Sequence, residues 1–144
     1  MTKIDFYLLR GASETRQGDH FACLLTDKAF RGGNRVLISV GSDKHANDID
    51  QLLWKVPNTG FIPHGQASDV SNIVAIDYNL GPGNHDDCLI NLSHTVPEYC
   101  ARFKRICEVV VFNNEARAAS RERFKYYQQR GFPINTHEIT RNYA

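Results

Sequence analysis

The sequence predicts an α/β protein built on a mostly parallel central sheet. Short apolar and β-branched runs alternate with stretches of helical periodicity, which is typical of crossover units that join parallel strands. One run, residues 35–40, is apolar almost throughout, as expected of a strand buried on both faces of a sheet. We therefore predict a single Rossmann-like domain over residues 1–144, with helices flanking the sheet.

The individual elements follow from local periodicity and from turn residues. Strands are predicted at residues 4–9, 35–40, 72–77, 88–92 and 108–112. Helices are predicted at residues 18–31, from Gly41 to Trp54, at residues 97–103 and at residues 115–130. Pro63 makes residues 61–64 an edge strand or a loop, residues 65–71 form a polar loop, and residues 79–87 form a turn-rich connection.

Composition bounds the class of protein. The apolar fraction of 42% and the charged fraction of 23% are ordinary for a soluble globular chain, and no apolar run is long enough for a membrane span. The N-terminus does not have the form of a signal peptide, so we expect a cytoplasmic protein. The cysteines form no C-x-x-C pair and are expected to be reduced, structural thiols: Cys23, Cys88, Cys100 and Cys107.

The formal net charge of +1 conceals an asymmetry along the chain. Residues 1–100 hold 8 Lys and Arg against 12 Asp and Glu, whereas residues 101–144 hold 9 against 4. This distribution indicates an anionic partner for the C-terminal part, although it is too weak for a dedicated duplex-DNA binder.

The predicted helix at residues 115–130 carries most of this basic character. Arg117, Arg121, Lys125 and Gln128 recur at helical spacing and share one face, with Phe124 beside them. Such a stripe is either a solvated surface or a platform for an anion. The residues alone leave both interpretations open.

Motifs for catalysis are missing from the sequence. It contains no P-loop, no G-x-G-x-x-G after the first strand, no G-x-S-x-G elbow and no H-E-x-x-H. The cluster His85, Asp86 and Asp87 could ligate a metal, but contiguous ligands rarely converge on one ion, and a solvated loop is the better interpretation. We expect neither a cofactor nor a metal.

An apolar group around residues 54–63 does not obviously belong to the core. Trp54 and Phe61 flank a short polar loop, and aromatic residues there are either a hydrophobic anchor for a partner or a closure over the end of the core.

Several stretches, in order and spanning nearly the whole chain, resemble the chi subunit of bacterial DNA polymerase III. They are residues 6–9, 33–38, 49–54, 61–64, 88–92 and 121–127, followed by Gly131 and Phe132. The resemblance implies a Rossmann-like domain without catalytic activity of its own. It also implies two partners: the psi subunit, which connects chi to the clamp loader, and the acidic, Phe-ending C-terminal tail of single-stranded DNA-binding protein (SSB). Contact with DNA would be indirect.

The resemblance also assigns site residues. Arg121 matches the family's key Arg and Lys125 its neighbouring Lys, while Arg117 stands at a position that is Lys in the best-known chi. Phe124 replaces a Tyr, and Gln128 replaces an Arg, which removes one charge from the tail site. For partner binding, Trp54 and Phe61 match family aromatics, with Phe61 the better candidate for the psi side, so the anchor interpretation is favoured.

Two other functions remain as alternatives. One is a nucleotide- or metal-dependent enzyme that uses His85, Asp86 and Asp87. The other is direct binding of single-stranded nucleic acid by the basic helix, for which few aromatic residues are available to stack on bases.

Overall fold

The computed structural model describes residues 1–55, 62–66 and 72–140. Within them, seven strands form one sheet: β1 (Lys3–Leu9), β2 (Val36–Ser39), β3 (His64–Gln66), β4 (Val74–Asp77), β5 (Cys88–Asn91), β6 (Arg105–Val111) and β7 (Ile134–Ile139). Three α-helices accompany the described part of the sheet: α1 (Thr15–Arg31), α2 (Asp43–Lys55) and α3 (Asn114–Gln129). None of them is long and apolar enough to cross a membrane.

The strands lie in the order β3-β4-β2-β5-β6-β1-β7, and every neighbouring pair is parallel. The predicted α/β class and parallel sheet are therefore confirmed. In this order β1 lies between β6 and β7, with Leu9 level with Val111 on one side and with Ile139 on the other. The register brings the segments that follow β1 and β6 side by side at one end of the sheet, and the segment after β1 also adjoins the end of β7.

The two faces of the sheet carry separate cores, because alternate side chains of a strand point to opposite faces. Helices α1 and α2 cover one face, where Phe21, Ile49 and Leu53 pack against residues such as Ile38 and Ile90. Helix α3 covers the other face, where fully buried Tyr127 packs with Ile4, Phe6 and Ile106. Helices α2 and α3 therefore lie on opposite sides of the molecule.

Both ends of α3 are determined locally. The side chain of Asn113 accepts a hydrogen bond from the backbone N–H of Ala116 at 2.8 Å, so Asn113 is the N-cap. Beyond the helix, Gly131 has φ +76°, the left-handed conformation that commonly follows a helix and favours glycine. The sequence therefore predicted this helix to within one residue at each end.

Two predictions of secondary structure were wrong or incomplete, and one strand was not predicted. The predicted polar loop includes the end of β3, a short edge strand at residues 64–66. The predicted helix at residues 97–103 is a single 3-10 turn over residues 100–102. Strand β7 was not predicted, because Asn135, His137 and Glu138 give it the composition of a polar tail.

Candidate functional site at helix α3

Helix α3 is fixed to the sheet by a buried carboxylate on β6. Glu108 is fully buried; it accepts hydrogen bonds from Arg123 Nε at 2.8 Å, from Tyr127 Oη at 2.6 Å and from Asn91 Nδ2 at 2.9 Å. Arg123 also donates to the carbonyl oxygen of His94 at 3.3 Å. Since Arg123 and Tyr127 are four residues apart, one face of α3 supplies both donors.

Burial raises the pKa of Glu108, while the guanidinium of Arg123 acts in the opposite direction. A buried charge must be paired and hydrogen-bonded, and this one is. The network also shows which basic residues of α3 contribute to the surface charge. Arg123 belongs to the basic helix but is 6% exposed and neutralised internally, so it adds nothing to the surface charge.

The predicted basic stripe lies on the surface of α3. Arg117, Arg121, Lys125 and Gln128 are all exposed, while Phe124 is half-buried. At about 100° per residue, these five positions span about 100° of the helix circumference. The structure therefore brings all five together on one face, which adjoins the buried face of the helix.

Phe124 is the apolar edge of this stripe. Its ring centroid lies 5.5 Å from that of Phe6 in β1, at an interplanar angle of 52°. The half-buried residues Leu8 and Ile134 pack against the same cluster. The basic face of α3 thus borders partly exposed apolar side chains of the sheet, which is the combination that a ligand with a ring and a carboxylate requires.

The cations of the stripe differ in their contacts. Lys125 Nζ lies 3.5 Å from the carboxylate of Glu122, and both side chains are well exposed. Arg117 lies over the ring of Phe112, with its guanidinium carbon 5.1 Å from the centroid. Arg121 has no ion pair or hydrogen bond to its side chain among the residues that the structure describes, so its guanidinium is available to a ligand.

Sequence reasoning missed Arg10 and Glu138, which lie beside the stripe. Arg10 follows β1 and also lies over the ring of Phe112, with its guanidinium carbon 4.9 Å from the centroid. Its Nη2 donates to Glu138 Oε1 on β7 at 2.9 Å. No local signal links residue 10 to residue 138, because their contact depends on the pairing of β1 with β7.

The aromatic residues predicted for partner binding are only partly described. Trp54, near the end of α2, is 58% exposed, so it does not close over the core. Its ring packs edge-on against that of His64. The Nε2 atom of His64 forms a hydrogen bond with Asp50 Oδ1 at 2.9 Å. Phe61 lies outside the described residues.

The residues of the enzyme alternative have structural contacts. His85 was predicted to lie in a solvated loop, but its side chain is fully buried and Nε2 donates to the carbonyl oxygen of Ile73 at 3.1 Å. Asp87 accepts from the backbone N–H of Arg35 at 3.0 Å and from Lys104 Nζ at 3.1 Å, and these contacts lower the pKa of its carboxyl. Asp86 is exposed. In the described ranges no group of three or more His, Cys, Asp or Glu side chains is placed to hold a metal ion.

The four cysteines are free thiols and all are buried, in agreement with the structural role expected of them. Burial raises the pKa of Cys23 to about 12. Cys88 and Cys107 lie on neighbouring strands and share a hydrogen bond, which lowers the pKa of Cys88 and raises that of Cys107.

Comparison with known proteins decides the family. A family model described as "DNA polymerase III chi subunit, HolC" matches residues 1–135. The chain belongs to the chi subunit family. It is therefore a replication subunit, an accessory subunit of DNA polymerase III.

Relatives in the chi family cover the chain almost from end to end. The chi subunit of Pseudomonas aeruginosa is 34% identical over 142 residues, which cover 98% of this chain and 99% of that protein. The chi subunits of Haemophilus influenzae and Escherichia coli are 31% and 29% identical, over 93% and 94% of this chain and 95% and 97% of those proteins.

A solved structure outside the chi family has a similar fold. The crystal structure of T4 UvsW matches with a TM-score of 0.67 over 96% of this chain, which spans 42% of that protein's length. Sequence identity is only 10%, so this likeness concerns the α/β fold alone.

Proposed function

We propose that this chi-family chain is a non-catalytic adaptor of the replisome. One surface, the basic face of α3, binds the acidic C-terminal tail of SSB. A second surface, around Trp54 and Phe61, binds the psi subunit and through it the clamp loader. The protein would act in the cytoplasm, and its association with DNA would be indirect.

A single observation supports the tail site: Arg121 is exposed, has no ion pair among the described residues, and lies at the centre of a basic face that borders apolar side chains. A chain-terminal Phe presents a ring and a carboxylate together. The guanidiniums of Arg117 and Arg121 suit carboxylates, because their planar donors can bind both carboxylate oxygens. Phe124 offers the adjoining apolar contact.

The energies are consistent with a moderate affinity. Each well-formed charge-assisted hydrogen bond contributes about 1.5–3 kcal/mol, and burial of a Phe ring contributes about as much again. Ordering a flexible tail offsets part of this gain. The expected dissociation constant is on the order of micromolar.

The test is a titration of a fluorescent acidic, Phe-terminated peptide against the wild type and Arg121→Ala. Losing one charge-assisted contact should weaken binding by at least about tenfold. Arg130→Ala is the matched control, because Arg130 is also exposed but lies on the opposite side of α3, over the ring of Tyr126. Equal affinities of wild type and Arg121→Ala would contradict the assigned site.

The same proteins can be tested against bare single-stranded DNA. The adaptor hypothesis predicts that the peptide binds more tightly than a single strand of similar charge, because the face offers few rings for base stacking. Preferential binding of the bare strand would favour direct nucleic-acid recognition instead.

A further inference from the structure

A continuous chain of contacts extends the basic face of α3 beyond the helix. The parallel register places Arg10, the residue after β1, beside Phe112, the residue after β6, on one side and beside the end of β7 on the other. Arg10 and Arg117 then lie over one ring, each with its guanidinium carbon about 5 Å from the Phe112 centroid. Arg10 is thus connected to the stripe through Phe112, although it comes from the other end of the sequence.

The spacing of these two cations suits an extended acidic peptide. Since both contact the same ring, their guanidinium carbons are no more than about 10 Å apart. An extended chain advances at most about 3.3–3.6 Å per residue, so side chains one or two residues apart can reach the two cations. The two positive charges at Phe112 would thus face consecutive carboxylates.

Arg10 already holds a carboxylate in the structure. Glu138 on β7 receives Nη2 of Arg10 at 2.9 Å and also contacts Nε, so the guanidinium presents two donors to one carboxylate. The side chains of Arg10 and Glu138 are 57% and 49% exposed, so this ion pair is weak and open to exchange.

Resting on the proposed function, we propose that Arg10 is a further cation of the acidic-peptide site and that Glu138 occupies it in the free protein. An acidic residue upstream of the peptide's C-terminal Phe takes the place of Glu138 on Arg10. Glu138 is then an internal competitor that lowers the affinity of the site, and Arg10 extends the site from α3 onto the sheet edge.

The experiment uses a fluorescein-labelled peptide of consecutive aspartates that ends in Phe, with binding followed by fluorescence anisotropy at low salt. Glu138→Gln should bind it about two- to fivefold more tightly than the wild type, and Arg10→Gln about two- to fivefold more weakly. Both variants break the same ion pair, so a folding defect would move both affinities in one direction. Opposite shifts identify competition.

Asp48→Asn is the matched charge control. It adds the same unit of positive charge and breaks an exposed ion pair, with Lys44, but lies on α2, which covers the opposite face of the sheet. We expect it to bind the peptide as the wild type does. A peptide with serines in place of the aspartates should not distinguish Glu138→Gln from the wild type.

The outcomes separate this inference from the proposed function. If Arg121→Ala loses binding while Arg10→Gln and Glu138→Gln bind as the wild type, the tail site stands and this inference is overturned. If the wild type does not bind the aspartate peptide, the proposed function fails and this inference fails with it. An equal gain in Asp48→Asn and Glu138→Gln would also overturn it, since it would reflect net charge alone.

Discussion

Arg121 and Arg123 lie two positions apart in α3 and have opposite environments. Arg121 is exposed, whereas Arg123 is buried against Glu108, with Nε 2.8 Å from the carboxylate. Helical periodicity places the two positions on different faces, but it does not show that the Glu108 carboxylate is buried under one of those faces. The pairing with Glu108 follows from the packing of α3 on β6.

Arg123→Ala should therefore destabilise the protein strongly. It removes one partner of a buried ion pair and leaves the Glu108 carboxylate with fewer donors, so the free energy of unfolding should fall by about 3–5 kcal/mol. The measurement is urea denaturation followed by circular dichroism. Arg121→Ala, the control, should remain within about 0.5 kcal/mol of the wild type, and a similar loss in both variants would contradict the buried network.

Gln128 is the weakest member of the proposed tail site, and a substitution there tests it. It is exposed on the basic face and stands where the resemblance expects an Arg. Gln128→Arg should restore a cation and tighten binding of the acidic peptide by about two- to fivefold. Gln51→Arg, at an exposed Gln of α2 over the opposite face of the sheet, is the control for charge alone, and an equal gain there would remove Gln128 from the site.

We expect His85 to make the stability of the protein depend on pH under mildly acidic conditions. Burial lowers the pKa of its imidazole below the ordinary 6.5, so the folded state binds fewer protons than the unfolded state as the pH falls through that value. The free energy of unfolding should therefore decrease as the pH drops below 6.5.

The measurement compares urea denaturation at about pH 7.5 and about pH 5.5 for the wild type and His85→Gln. Gln cannot titrate but can still donate to the carbonyl of Ile73, which His85 contacts at 3.1 Å. Stability of the variant should depend less on pH. The same loss of stability in both proteins would show that other groups cause it.

At the scale of the element, α3 depends on its first turn as well as on its buried face. Asn113 accepts from the backbone of Ala116 and also donates to the carbonyl oxygen of Ser13, both at 2.8 Å. The cap therefore fixes the first turn of the helix and connects it to the segment after β1, which begins at Arg10.

Asn113→Ala should lower the free energy of unfolding by about 1 kcal/mol, the usual cost of losing a cap. Asn114→Ala is the matched control, because Asn114 is exposed and is the first residue within the helix, where Ala is a better helix former. Thermal denaturation can rank the two, and a larger loss in Asn114→Ala would contradict the assigned cap.

At the scale of the whole molecule, the sheet separates the two proposed docking surfaces. Trp54 lies near the end of α2 on one face, and Arg121 lies on α3 over the other. The two proposed partners could therefore bind at once, as the proposed adaptor function requires.

This arrangement predicts independent binding. Trp54→Ala should weaken capture of psi while leaving the affinity for the acidic peptide unchanged, and Arg121→Ala should do the reverse. A pull-down with immobilised peptide and added psi measures both. Loss of both interactions in either single variant would contradict two separate surfaces.

The charge distribution of the molecule predicts a dependence on salt. At physiological ionic strength the Debye length is about 8 Å, and exposed charges farther apart than this are largely screened. Affinity for the acidic peptide should therefore fall steadily as sodium chloride is added. A peptide with serines in place of aspartates should respond less. Equal slopes for the two peptides would indicate that the basic face contributes little to binding.

Sequence alone predicted the α/β class, most of the strands and α3 to within one residue at each end. Buried strands and capped helices leave local signals in apolar runs, Asn113 and Gly131. It also predicted a chi-like chain, because the matching stretches occur in order over nearly its whole length. It placed all five positions of the proposed tail site on one face, since helical spacing needs no tertiary information.

The tertiary structure decided what depends on contacts between distant residues. Strand β7 is polar and is identified only by its pairing with β1, and that pairing brings Glu138 to Arg10. The packing of α3 on β6 buries Arg123 against Glu108 and leaves Arg121 exposed. The sequence shows which charged residues α3 contains. Only the packing of the helix on the sheet determines which of those charges remain available to a partner.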